Sequence, residues 1–155
     1  MKGPPPNGLV PFRPEHFDDM KLRDPGAVNG YGPGYRELMA RYPEMGPAWT
    51  LLRDERPVFS GGIVILWNGV GEAWTLMSER VREYPLAVVK TIRFCIDEAV
   101  RSYQLRRVQA TVKKHDDRAI ALLHAVGFKI EGLMEQYGPD GEDYYMVRRL
   151  IPWKS

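Results

Sequence analysis

Apolar residues recur at positions 86, 89, 92, 96, 100 and 103, the spacing that lines one face of a helix. This predicts an amphipathic helix from Leu86 to Tyr103. Upstream the period shortens. Ala48 to Arg53 and Val58 to Leu66 read as neighbouring strands turned by Asp54-Glu55-Arg56-Pro57. Gly61-Gly62 inside the second predicts a bulge or a close backbone approach. Asn68-Gly69 is a strong hairpin signal leading into a strand from Glu72 to Ser78. Downstream, Arg107 to Val112 reads as a strand, Asp117 to Ala125 as a helix and Lys129 to Tyr137 as a strand. Gly138-Pro139-Asp140-Gly141 turns the chain, and Asp143 to Leu150 returns antiparallel.

The first 45 residues are less regular. Residues 1–8 are rich in Pro and Gly and read as a loose tail. Leu9 to Phe12 fits a short strand, and Pro14 opens a helical pattern over Glu15 to Leu22. Asp24 to Gly34 reads as an irregular loop, and Tyr35 to Tyr42 as a second short helix stopped by Pro43. With neither an internal repeat nor a clear linker, residues 9–155 read as one domain.

The stretch Val108 to Phe128 is the most specific. Asp116 stands where an N-cap accepts the unpaired N–H groups of a first turn, and Gly127 where a helix ends left-handed. The run Asp116-Asp117-Arg118-Ala119-Ile120-Ala121-Leu122-Leu123, followed by Gly127-Phe128, resembles the Asn-x-x-Ala-Ile-x-Leu-Tyr-x-x-x-Gly-Phe segment of the GNAT superfamily, the acetyl-CoA-dependent N-acetyltransferases. Gly127 to Gly132 and Asp143 to Arg148 look like the family's closing segments, and the element order matches over roughly residues 9–151. A fainter likeness, from Trp67 to Trp74, is to GNAT-like proteins of phages and prophages. The resemblance implies an α/β (α+β) GNAT fold: a single mixed, mostly antiparallel central sheet of about six to seven strands, flanked by helices.

Composition narrows the function. The 155 residues carry 22 basic and 20 acidic groups, well mixed, for a net charge of +2. No basic stripe suggests nucleic acid. The longest apolar run, Ile63 to Trp67, is too short to cross a bilayer, and the N-terminus lacks the apolar core of a signal peptide. The single cysteine, Cys95, excludes a disulfide scaffold and fits a reducing cytoplasm; it reads as a core residue rather than a nucleophile. His16 and His115 lie beside acidic residues, but with no metal-ligand spacing.

In the family, the pyrophosphate of acetyl-CoA rests on the N-terminus of the long helix, at a motif Arg/Gln-x-x-Gly-x-Gly/Ala. Here Arg82-Glu83-Tyr84-Pro85-Leu86-Ala87 keeps both ends, while Pro85 removes one N–H from the cradle. An ordinary helix start with a surface arginine reads equally well. The resemblance further implies that the end of the fourth strand, Leu76, Met77 and Ser78, splays from the fifth and pairs with the pantetheine arm. Asp116 matches the asparagine that contacts that arm, although its carboxylate can only accept, and a plain N-cap is the simpler reading. For catalysis, Glu72 is a candidate base, with an exposed strand-end charge as the alternative. The family's thiolate-protonating tyrosine is replaced by Leu123, leaving His124 and Tyr145 as candidate donors. The expected activity is acetyl transfer from acetyl-CoA to a primary amine of a small molecule or protein, with a homodimer allowed. The alternative is a catalytically degenerate GNAT-fold binding module or phage-associated structural module.

Overall fold

The computed structural model describes residues 4–25 and 34–152. Seven strands form one sheet in the order β1-β2-β3-β4-β5-β7-β6. They are β1 (Leu9–Pro11), β2 (Ala48–Arg53), β3 (Arg56–Trp67), β4 (Val70–Met77), β5 (Arg107–Lys113), β6 (Lys129–Met134) and β7 (Tyr144–Leu150). All neighbours pair antiparallel except β4 and β5, which run parallel and are joined by the long helix. A parallel pair needs such a crossover, and a helix is the compact way to make it.

Among the described residues the helices are α1 (Pro14–Asp18), α2 (Tyr35–Ala40), α3 (Tyr42–Met45), α4 (Pro85–Tyr103) and α5 (Asp117–Ala125). α4 and α5 cover one face of the sheet. Ile96 and Ala99 of α4 bury against Ile63, Val108, Ala110, Val112 and Val147, and Ile120 and Leu123 of α5 pack on the same cluster. The N-terminal helices cover the other face of β2–β4, where Phe12, Met39 and Leu76 bury with Trp74, Tyr42 and Phe17 around them. Alternation along β4 makes both layers possible: Ala73 and Met77 face the long helix, Trp74 and Leu76 the short ones.

From β2 onward the elements fall where the pattern puts them, and the differences have local causes. The β2–β3 turn is tighter than expected, because Asp54 and Glu55 both take left-handed φ (54° and 60°) and let Arg56 pair with Arg53. Gly61 and Gly62 do not form a bulge; the register slips at Leu51/Leu52 and Ile65/Trp67 instead. They permit close approach: a Cβ on Gly62 would lie 2.5 Å from the Pro47 carbonyl oxygen. The first helix stops at Asp18, well short of Leu22, and Leu22 forms an isolated antiparallel bridge with Ser78. Pro43 does not end the second helix but stands in the first turn of a separate one, as its preset φ allows. Of the proline-rich start, Gly8 accepts the Leu52 N–H at 2.8 Å. Most of the loop expected over 24–34 lies outside the described residues.

Candidate active site

β4 and β5 are in register at only three positions, Val70 with Arg107, Gly71 with Val108 and Glu72 with Gln109. Beyond them the strands run on to Met77 and Lys113 without pairing, which leaves a wedge between their C-terminal ends. The Ser78 N–H donates to Val58 on β3 at 3.2 Å. Backbone groups alternate between the two edges of a strand, so Met77 directs its own toward the wedge.

Above the wedge, residues Glu79–Glu83 make one 3₁₀ turn and Pro85 opens α4. The first helical bond runs from the Val88 N–H to the Tyr84 carbonyl at 2.9 Å. The Leu86 and Ala87 amides therefore precede any intrahelical partner and point out of the helix start, where the dipole favours an anion. Leu86 is 74% exposed and Arg82 is exposed beside them. Arg80, by contrast, is built into the scaffold. Its guanidinium donates to the carbonyls of Arg56 (2.9 Å) and Arg53 (3.0 Å) and lies 5.7 Å from the Tyr84 ring centre.

Of the other predicted contacts along the wedge, Leu76 is buried beneath the short helices and Met77 packs under α4. Ser78 is buried, donates to the Val58 carbonyl at 2.5 Å and accepts the Arg80 N–H at 3.1 Å. Asp116 caps α5 by accepting the Ala119 N–H at 3.1 Å. The same carboxylate receives Nη2 of Arg23 on both oxygens, at 2.7 and 2.6 Å.

The three candidate catalytic residues are not brought together. Glu72 stands at the apex of the wedge and accepts Gln109 Nε2 at 2.9 Å. Gln109 in turn receives Arg107, which makes a two-bond fork to Glu131 at 2.7 and 2.8 Å. That fork holds the Glu131 carboxyl below its ordinary pKa. Tyr145 pairs with Val112 and packs into the core on the face covered by α4 and α5, opposite the Trp74 side of the sheet. His124 is exposed on α5, and Leu123 beside it is in the core. Tyr144, the other aromatic of β7, is buried with its ring edge against Tyr137 at 5.4 Å.

Three residues at the wedge have no signal in the local sequence pattern. Arg23 lies 93 residues from Asp116, and Asp24 lies 89 from Lys113, whose Nζ it accepts at 2.9 Å. Asp24 raises the Lys113 pKa, with Glu142 adding to the effect. Among the described residues no group of three or more His, Cys, Asp or Glu side chains is placed to hold a metal, and no helix is long and apolar enough to cross a membrane.

The sequence matches no family model and no curated protein. The fold matches solved acetyltransferases over nearly its whole length. The ribosomal-protein-S18-alanine N-acetyltransferase of Escherichia coli aligns with a TM-score of 0.74 at 12% identity, covering 95% of each chain. Ard1 of Thermoplasma volcanium gives 0.72 at 17% identity, covering 94% of this chain and 97% of its own. A GNAT-family acetyltransferase of Streptococcus pneumoniae gives 0.68 at 16%, covering 93% and 98%.

Proposed function

We propose, starting from the GNAT fold, that this chain moves an acetyl group from acetyl-CoA to a primary amine of a small molecule or protein. The observation that carries the reading is the wedge between β4 and β5, which opens beside the free amides of the α4 N-terminus. The Leu86 and Ala87 N–H groups would hold the diphosphate, with Arg82 adding charge. Backbone groups of Met77 would pair with the amides of the pantetheine arm. In the reaction the amine nitrogen attacks the thioester carbonyl, a C–N bond forms, the C–S bond breaks and the thiolate leaves. The amine must arrive as free base. Glu72, at the apex of the wedge, would pass its proton to water. Leu123 cannot protonate the thiolate, so solvent would supply that proton and turnover would be slow. A general acid is typically worth about 10²–10⁴-fold.

A second reading, a GNAT-fold binding or phage-associated module without chemistry, is favoured by two observations. Leu123 is committed to the core, and the Asp116 carboxylate is already spent on Arg23. Calorimetry with acetyl-CoA separates the readings. Arg82→Ala should weaken binding by roughly 1–3 kcal/mol if it makes a charge-assisted bond to phosphate. No binding at millimolar concentration, by wild type and by Arg23→Ala alike, would leave only the second.

A further inference from the structure

We infer that Lys21–Asp24 form an internal strap that fills the wedge in place of the acyl-CoA arm and must leave before the coenzyme binds. This rests on the acetyl-CoA reading above. On the β4 side, the Arg23 N–H donates to the Met77 carbonyl at 2.8 Å, and the Glu79 N–H donates to the Lys21 carbonyl at 2.9 Å. These two bonds flank the Leu22–Ser78 bridge, so the segment runs as a short antiparallel strand along the free edge of β4. On the β5 side, Arg23 reaches Asp116 at 2.6 Å and Asp24 reaches Lys113 at 2.9 Å, with Glu142 3.9 Å from the same ammonium. One four-residue segment thus ties together the two strands that fail to pair with each other.

The physical reason is the edge itself. A parallel pair that opens leaves backbone carbonyls facing the gap, and a buried carbonyl without a partner is costly. The strap gives the Met77 carbonyl a donor when no pantetheine amide is there to supply one. It also engages Asp116, so both the strand edge and the cap residue are taken by the chain's own atoms. Leu22 anchors it by packing against the Phe12–Met39–Leu76 cluster. Its two ion pairs are only partly buried, with side-chain exposures of 25% and 22% for Arg23 and Asp116 and 21% and 42% for Lys113 and Asp24. Pairs of that kind are individually weak, so the strap can close the wedge and still be displaced.

Acetyl-CoA, which has no free thiol to reduce a disulfide, is the probe. Arg23→Ala should bind it at least about tenfold more tightly than wild type, since the ligand no longer competes with a tethered segment of its own protein. A Leu22→Cys/Ser78→Cys variant staples the strap, at a wide antiparallel pair where the Cβ atoms come close. Its oxidised form should lose binding and its reduced form regain it. Wild type offers a readout that needs no variant: saturating acetyl-CoA should speed hydrogen exchange at the Arg23 amide, which loses the Met77 carbonyl when the strap leaves. Unaltered affinity in both Arg23→Ala and the oxidised staple, or full protection of the Arg23 amide in the acetyl-CoA complex, would overturn the strap while leaving acetyl-CoA binding intact. No binding by any form would overturn both inferences together.

Discussion

Cys95 shows how burial decides chemistry at a single residue. It sits on the inner face of α4, and removal from water pushes its thiol up to about 12, with the Glu98 charge adding to the rise. The thiolate is the reactive species, so at neutral pH almost none is present. A disulfide reagent at pH 8 should leave native protein unlabelled and titrate one thiol only after unfolding; rapid labelling of the native state would contradict this. Leu123 is the same lesson from the apolar side. Its side chain packs on the core between α5 and β5, so this position serves packing.

At the scale of elements, α4 combines a well-made start with an orphan in its middle. Pro85 fixes the first turn, and Gln104 closes the helix left-handed at φ 52° with its N–H on the Val100 carbonyl. Thr91, fully buried on the inner face, has no hydrogen-bond partner for its hydroxyl among the described residues. It lines a small apolar cavity with Gly61, Trp49, Thr75 and Cys95. Valine has the same shape and nearly the same helix propensity. Thr91→Val should therefore stabilise the protein by about 1 kcal/mol or more, because an unpaired buried hydroxyl costs about 1–3. A higher melting temperature with unchanged denaturant slope is the expected result; a lower one would mean that the hydroxyl has a partner after all.

At the scale of the whole molecule, one seven-stranded sheet forms the frame of the described residues, and the first helix is fastened to it by a buried polar chain. His16 Nδ1 accepts the Arg13 N–H at 3.0 Å and lies 2.7 Å from the Thr50 hydroxyl, which lies 2.8 Å from that of Ser60. Burial lowers the His16 pKa below 6.5, helped by Arg13 and opposed by Glu15 and Asp19. The folded state thus prefers neutral imidazole. Its contribution to stability is present above pH 6.5 and is lost as pH falls through the lowered folded value. His16→Asn should cost stability at pH 8, and the gap in melting temperature between it and wild type should narrow toward pH 5. A gap that widens on acidification would mean that His16 is charged in the native state.

The sequence by itself determined the elements from β2 onward, because periodicity, Asn68-Gly69, the Asp116 cap and Gly127 are local signals whose geometry neighbouring residues set. The GNAT fold was legible because the order of those elements and the segments around Asp116 and Gly127 resemble that family's, not because local pattern alone fixes a sheet. The site was legible only as positions along the chain. Tertiary structure decided that Tyr145 faces the core while Glu72 stands at the apex of the wedge, since which face of a strand is buried depends on what packs there. It also decided that α1 ends early and that Lys21–Asp24 cross to strands more than fifty residues away. Charge pairs and edge bonds at such separations have no periodicity to read. They exist because two strands diverge and leave backbone groups that some other part of the chain must satisfy.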